Sequence, residues 1–121
     1  MELSEYQKKA MNTCMATCNN FSYMAINLVG EVGEFMGKVA KAIRKGNIDV
    51  YDNRLWYNYP ETDGAFTQDA ELMYEAGDIL WQLSGLCAVM GWDLEDIAKM
   101  NLEKLASRKN RGVIDGDGDN R

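Results

Sequence analysis

Between Phe21 and Ile43 the apolar residues Phe21, Met24, Leu28, Val32, Phe35, Val39 and Ile43 recur at intervals of three and four. That period is one face of a helix; a strand would repeat every second residue. Arg44, Lys45 and Gly46 close the run with a cationic last turn and a glycine stop. The spacing predicts a helix over residues 21–45, the longest organising element of a 121-residue chain.

Three further helices are expected around it. The first spans residues 4–19, with Ser4 as N-cap and Met11, Cys14, Met15 and Cys18 along one face. The third starts at Thr67 as N-cap and runs to Met90, its apolar face being Leu72, Ile79, Leu83, Leu86 and Met90. In the fourth, Asp93 is the N-cap and Asp96 stands at N3, while Leu94, Ile97, Ala98, Leu102 and Leu105 form the core face up to Lys109. Residues 46–66 show no helical period, carry the chain's single proline and gather aromatics, so they read as a long irregular loop. The tail from Gly112 to Arg121 is rich in glycine and aspartate and is expected to lack regular structure. The expected fold is all-α and four-helix bundle-like, one domain over residues 1–121 with a loop insertion at 46–66 and an irregular tail at 112–121.

Composition agrees and narrows the chemistry. Eight methionines and one proline favour helix. The net charge of −6 argues against binding duplex nucleic acid through its phosphates. No run approaches the roughly 20 apolar residues of a membrane span, and Met1–Glu5 lacks both the basic start and the apolar core of a secretory signal. The chain therefore reads as cytoplasmic. The sequence has no histidine, which excludes Ser-His-Asp and Cys-His nucleophiles, histidine zinc sites and Glu-x-x-His di-iron bundles. Cys14, Cys18 and Cys87 read as small buried hydrophobes in a reducing compartment. So short a chain buries a modest share of its surface, and oligomerisation is expected.

The second and third helices echo one another. Glu31-Val-Gly-Glu34 reappears as Glu75-Ala-Gly-Asp78, each acidic position 44 residues from its counterpart. At about 100° per residue, Asn27, Glu31, Glu34 and Lys38 line one stripe, and Glu71, Glu75, Asp78 and Gln82 line the matching stripe. Both stripes lie beside an apolar face rather than opposite it. Packed antiparallel, the two helices would bring four carboxylates across a shared cleft, where they repel unless a cation binds or some are protonated. Hard oxygen donors without His or Cys suit Mg²⁺ or Mn²⁺. The spacing alone also admits two amphipathic helices with ordinary boundary glutamates. Gly33 and Gly77 cost about 1 kcal/mol each inside a helix, and close approach of another helix is the expected offset.

These motifs resemble the MazG-like nucleotide pyrophosphohydrolases. Glu31-x-x-Glu34 followed by Glu75-x-x-Asp78 is similar to the family's metal-binding signature, residues 75–83 look like its third helix and residues 101–108 like its fourth. The resemblance implies an all-α enzyme that cuts nucleoside triphosphates, ribo- or deoxy-, to monophosphate and pyrophosphate with Mg²⁺. It implies Glu31, Glu34, Glu75 and Asp78 as metal ligands, with Glu34 and Glu31 catalytic. It implies Lys38, Asn101, Lys104 and Arg108 as substrate-binding residues, and a homodimer or homotetramer with sites built partly from neighbouring chains. Asn101 also falls within the apolar stripe of its helix, where a buried amide needs a partner. Trp56, Tyr57 and Tyr59 in the long loop suit either a nucleobase or a neighbouring subunit. Gly118-Asp-Asn-Arg121 looks like the ending of some family members, which suggests a segment folded over a site. Two rival readings are a non-enzymatic helical interaction module and a nucleotide-binding sensor.

Overall fold

The computed structural model describes residues 1–58 and 63–121, with side chains everywhere in that set except 63–68. Among them the elements follow in the order α1 (Leu3–Met11), α2 (Phe21–Arg44), β1 (Ile48–Tyr51), β2 (Arg54–Tyr57), α3 (Asp63–Val89) and α4 (Leu94–Asn110). The fold is all-α in character, four helices with one small hairpin.

Helix α2 has the bounds its period predicts. The Asn20 side chain accepts from the Tyr23 N–H at 2.8 Å to cap its start, and Gly46 takes φ +74° just past its end, the left-handed turn that glycine adopts without strain. Helix α3 lies antiparallel against it: Gln82 reaches Met24 near the start of α2, and Glu75 reaches Lys38 further along. Met24 is fully buried at this seam. A Cβ built on Gly85 would run into the Met24 thioether, which occupies the space that a side chain at 85 would need. Among the described residues the close approach expected at Gly33 and Gly77 is absent, since nothing there lies within 4 Å of a Cβ at either position.

Helix α1 is shorter than its sequence suggests. It stops at Met11 because the Ala10 carbonyl, needed by the Cys14 N–H to continue, is taken elsewhere. It accepts from the Thr13 N–H (3.0 Å), the Thr13 hydroxyl (2.7 Å) and the Trp81 indole of α3 (3.1 Å). Cys14 and Cys18 therefore sit in turns, not on a helix face. Ser4 is inside the helix, not its cap; its hydroxyl donates to the Asp93 carboxylate at 2.8 Å. Asp93 in turn accepts from the Glu95 N–H at 2.9 Å and caps α4 as expected. Gln7, buried, fixes the same junction: it donates to the Ser84 and Trp92 carbonyls and accepts from the Leu94 N–H at 2.9 Å.

Where an irregular loop is expected over residues 46–66, residues 48–57 form a hairpin and residues 63–66 belong to α3, while residues 59–62 lie outside the described residues. Asp52 and Asn53, at φ +53° and +54°, make a two-residue turn that pairs Tyr51 with Arg54 and Ile48 with Tyr57. Both positions of a type I′ turn need positive φ, which Asp and Asn tolerate. Ile48 is fully buried against the bundle, while Tyr51 and Trp56 stack on the outer face with ring centroids 4.9 Å apart. The Tyr57 hydroxyl donates to Asp69 of α3 at 2.8 Å; burial and then that carboxylate push its phenol up to about 12, so it remains a donor. Helix α3 starts at Asp63, a turn before the expected cap at Thr67. Tyr59 lies outside the described residues.

Helix α4 is covered at Leu94 in its first turn and at Arg108 in its last, while the apolar stripe between them is not. Leu94 is buried, but Ile97, Leu102 and Leu105 stay exposed, with Leu102 at 66%. On α2 the expected core residues Phe21, Val32 and Ile43 are likewise exposed. The tail, irregular as expected, folds back on the end of α4. The Arg121 guanidinium donates to the carbonyls of Val113, Ile114 and Gly118, and Arg111 donates to the Arg121 carbonyl oxygen at 2.7 Å.

Two outcomes check this packing. Gly85→Ala is expected to lose stability by about 1–3 kcal/mol through overpacking, less the roughly 1 kcal/mol that alanine gains in a helix; Gly37→Ala, with nothing within 4 Å of its Cβ, is expected to gain up to the latter. Urea denaturation of the two variants measures both signs. The Ser4 hydroxyl and then the Glu95 N–H hold the Asp93 carboxyl below its ordinary 3.8. Its stabilisation is thus present above that value and is lost as pH falls through the folded one. The melting temperature of Asp93→Ala should sit below that of the natural chain at neutral pH, and the gap should begin to narrow below about pH 4 and go on narrowing through the depressed folded value.

Candidate metal centre between α2 and α3

The antiparallel seam carries the two acidic stripes to one place. Oxygens of Glu31, Glu34 and Glu75 lie within 4.8 Å of one another. Glu75 is buried, Glu31 half-buried and Glu34 exposed. Asp78, exposed one turn along α3, stands outside this convergence but close enough to act on Glu31 electrostatically.

Each of the two more buried carboxylates has one oxygen held and one left bare. Glu31 Oε1 accepts from the Asn27 amide at 3.1 Å, and Glu75 Oε1 takes the Lys38 ammonium at 2.7 Å. Glu31 Oε2 and Glu75 Oε2 are buried with no hydrogen-bond partner among the described residues. Such atoms are uncommon in folded proteins and ask for an ion or another ligand. Burial, and then the charges of Glu34, Asp78 and Glu75, push the Glu31 carboxyl above the usual carboxylate range, although the Asn27 hydrogen bond works against them. The Glu75 partner holds the Lys38 ammonium above its usual value. An all-oxygen donor set with two bare buried oxygens fits a hard divalent cation of the Mg²⁺ or Mn²⁺ kind.

The remaining candidates fall elsewhere. Lys38 is on the spot but paired with Glu75, not free. Asn101 is exposed, because the apolar stripe in which it stands is not covered by the chain's other helices. Arg108 is only 4% exposed and donates to the Asp119 carboxylate at 3.2 Å, with Lys104 at 3.8 Å from the same carboxylate. These two α4 cations are thus tied to the tail rather than to the acidic cluster. Sequence reasoning gave no role to Asn27 or Gln82, though both stand on the acidic stripes; that shared stripe was the available signal. An open, mostly apolar cleft of about 420 Å³ lies between Phe35, Leu55, Tyr57, Leu72 and Met73, with Asp69 on its wall. Trp56 is on the opposite face of the hairpin from Leu55 and Tyr57.

A cation that satisfies the bare oxygens should stabilise the fold by mass action, about 2.7 kcal/mol at a hundredfold excess over its dissociation constant. Thermal unfolding with and without Mg²⁺ is expected to show this shift in the natural chain. In Glu31→Gln/Glu75→Gln the shift should vanish; an equal shift in that variant would place the cation elsewhere.

The MazG nucleotide pyrophosphohydrolase domain model matches residues 19–113. The chain is also 35% identical to the Gene 37 protein of Mycobacterium phage L5, over 130 aligned positions that span 100% of each. No solved structure matches it. The family model takes in α2, the hairpin, α3 and α4, the elements that carry every acidic residue of the cluster, and the chain belongs to the MazG nucleotide pyrophosphohydrolase domain family.

Proposed function

We propose that the chain hydrolyses nucleoside triphosphates, ribo- or deoxy-, to the monophosphate and pyrophosphate, with Mg²⁺ as cofactor and Mn²⁺ as a substitute. The observation that carries this reading is the pair of bare buried oxygens, Glu31 Oε2 and Glu75 Oε2, beside the Glu34 carboxylate. An unsatisfied buried acceptor costs about 1–3 kcal/mol, more when charged. A domain that tolerates two of them side by side is arranged for a ligand that removes the cost.

Glu31, Glu34 and Glu75 would hold the cation, with Asp78 completing the set. Bound there, a divalent cation supplies neutralisation of phosphate charge and a lowered pKa for water. The chain's own groups do the rest. Glu34, the most exposed of the trio and without a hydrogen-bond partner among the described residues, accepts the proton of the attacking water as general base, assisted by Glu31. The water oxygen bonds to phosphorus as the anhydride bond to pyrophosphate breaks. Lys38 exchanges its Glu75 partner for a phosphate oxygen, and the apolar cleft beside Phe35 and Tyr57 takes the nucleoside, since such clefts suit a flat, largely apolar ligand part.

The uncovered faces of α2 and α4 support assembly of this chain into a homodimer or homotetramer. Ile97, Leu102 and Leu105, together with Val32 and Met36, would then be covered by a neighbouring copy. Asn101, Lys104 and Arg108 of α4 would serve the phosphates from such a copy. No described helix is long and apolar enough to cross a membrane, and the free thiols of Cys14, Cys18 and Cys87 fit the reducing cytoplasm.

A panel of ribo- and deoxynucleoside triphosphates with Mg²⁺, scored for pyrophosphate, tests the reaction. Pyrophosphate from at least one is expected, and Glu34→Ala or Asp78→Ala should lower that turnover by about a hundredfold or more without loss of helicity. Pyrophosphate release unaffected in both variants would remove these carboxylates from the reaction. No pyrophosphate from any substrate would favour a module that binds or assembles without cleaving.

A further inference from the structure

Gln82 is a polar side chain 1% exposed in the seam between α2 and α3. Its Nε2 donates to the Met24 carbonyl at 3.3 Å, with the Met24 sulfur also at 3.3 Å. With the nitrogen end anchored there, Oε1 must face the opposite way, and it accepts from Asn27 Nδ2 at 3.0 Å. That contact decides how the Asn27 amide is turned. Its oxygen cannot face Gln82 Oε1 without repulsion, so the NH₂ group faces the seam, and a Cβ at Gly30 would come 3.0 Å from Asn27 Oδ1 on the other side. An NH₂ group has two hydrogens. One serves Gln82 at 3.0 Å; the shortest remaining acceptor is Glu31 Oε1 at 3.1 Å, ahead of the Tyr23 hydroxyl at 3.3 Å. The direction of one buried amide is thus passed through a second to a carboxylate, and the oxygen left over is the bare Glu31 Oε2.

We propose that Gln82 and Asn27 are positioning residues: Gln82 sets the orientation of the Asn27 amide, and Asn27 holds Glu31 so that its free oxygen is presented to the divalent cation. The inference rests on the proposed cation site and adds to it two residues that touch neither cation nor substrate. The Glu75 side of the site is held differently, by the Lys38 ammonium, which competes with the cation for charge. An amide donor orients without adding charge. The Glu31 side is therefore the one whose geometry can be fixed before the cation arrives. Partners of this kind typically change metal affinity 10–100-fold when removed.

The test is Mn²⁺ affinity, by calorimetry, of the natural chain, Asn27→Ala, Gln82→Leu and the double variant, with melting in chelator to confirm each fold. Asn27→Ala is expected to weaken Mn²⁺ binding about tenfold while the metal-free transition stays cooperative. Gln82→Leu should weaken it by a similar factor, and the double variant should be no weaker than Asn27→Ala alone, since Gln82 acts through Asn27. If Gln82→Leu does not fold, Asn27→Ala decides alone. Affinity of Asn27→Ala within twofold of the natural chain overturns the proposal, as do two single effects that multiply in the double variant. A natural chain that takes up no Mn²⁺ ends the cation reading itself, an outcome distinct from either.

Discussion

The antiparallel packing of α2 on α3 is built around Met24, fully buried at the seam beside Gly85. Gly85 leaves a gap that the Met24 thioether fills, and at that distance the two helices carry their polar stripes into contact along one edge. A wider seam would leave Asn27 out of reach of Gln82 and Lys38 out of reach of Glu75, and the carboxylates would become ordinary solvated surface. The acidic cluster is thus a product of helix packing. Its oxygens converge because the seam is tight, and their mutual repulsion is tolerated because Met24 and its neighbours supply the opposing free energy.

Much of this was legible in the residues. The three-and-four period of α2, its Gly46 stop and the Asp93 cap are local signals, and local signals survive folding. The matched offset of Glu31/Glu34 and Glu75/Asp78 places one acidic stripe on each helix, which helical geometry fixes; packing then brings Glu31, Glu34 and Glu75 together and leaves Asp78 outside. What could not be read were elements decided by distant partners. Helix α1 ends at Met11 with the Ala10 carbonyl taken by Thr13 and by an indole 71 residues away, and no local property of residues 12–19 announces the second of these partners. Ser4 has the right chemistry for a cap but finds Asp93 instead. The hairpin was missed for another reason. Its strands are four residues each, and its turn signal is Asp52-Asn53, which lacks the glycine that marks the commonest two-residue turns. The β-branched and aromatic residues around it, Val50, Tyr51, Trp56 and Tyr57, were the usable hint.

Helix α4 shows where periodicity stops being informative. Its apolar stripe is real, yet beyond Leu94 the stripe faces outward, and Asn101 goes with it. A pattern says that a face wants covering; it does not say by which chain. The same holds for Val32 and Met36 on α2. The cations of the α4 terminus are committed to a different task in the isolated chain, closing the tail through Asp119. The Lys104–Asp119 contact is exposed on both sides and cheap to exchange in water, whereas the Arg108 side chain is buried.

The bare oxygens of Glu31 and Glu75 also bear on how such a domain can change over generations. With no cation present, losing Glu31 relieves repulsion and removes an unsatisfied buried atom, whereas losing Glu75 also takes away the partner of Lys38. Selection for heat resistance alone would therefore drift toward an amide or apolar residue at position 31 and break up the cluster. Where Glu31 persists, something other than stability must be holding it, and the fold carries in its own energetics a record of the use to which it is put.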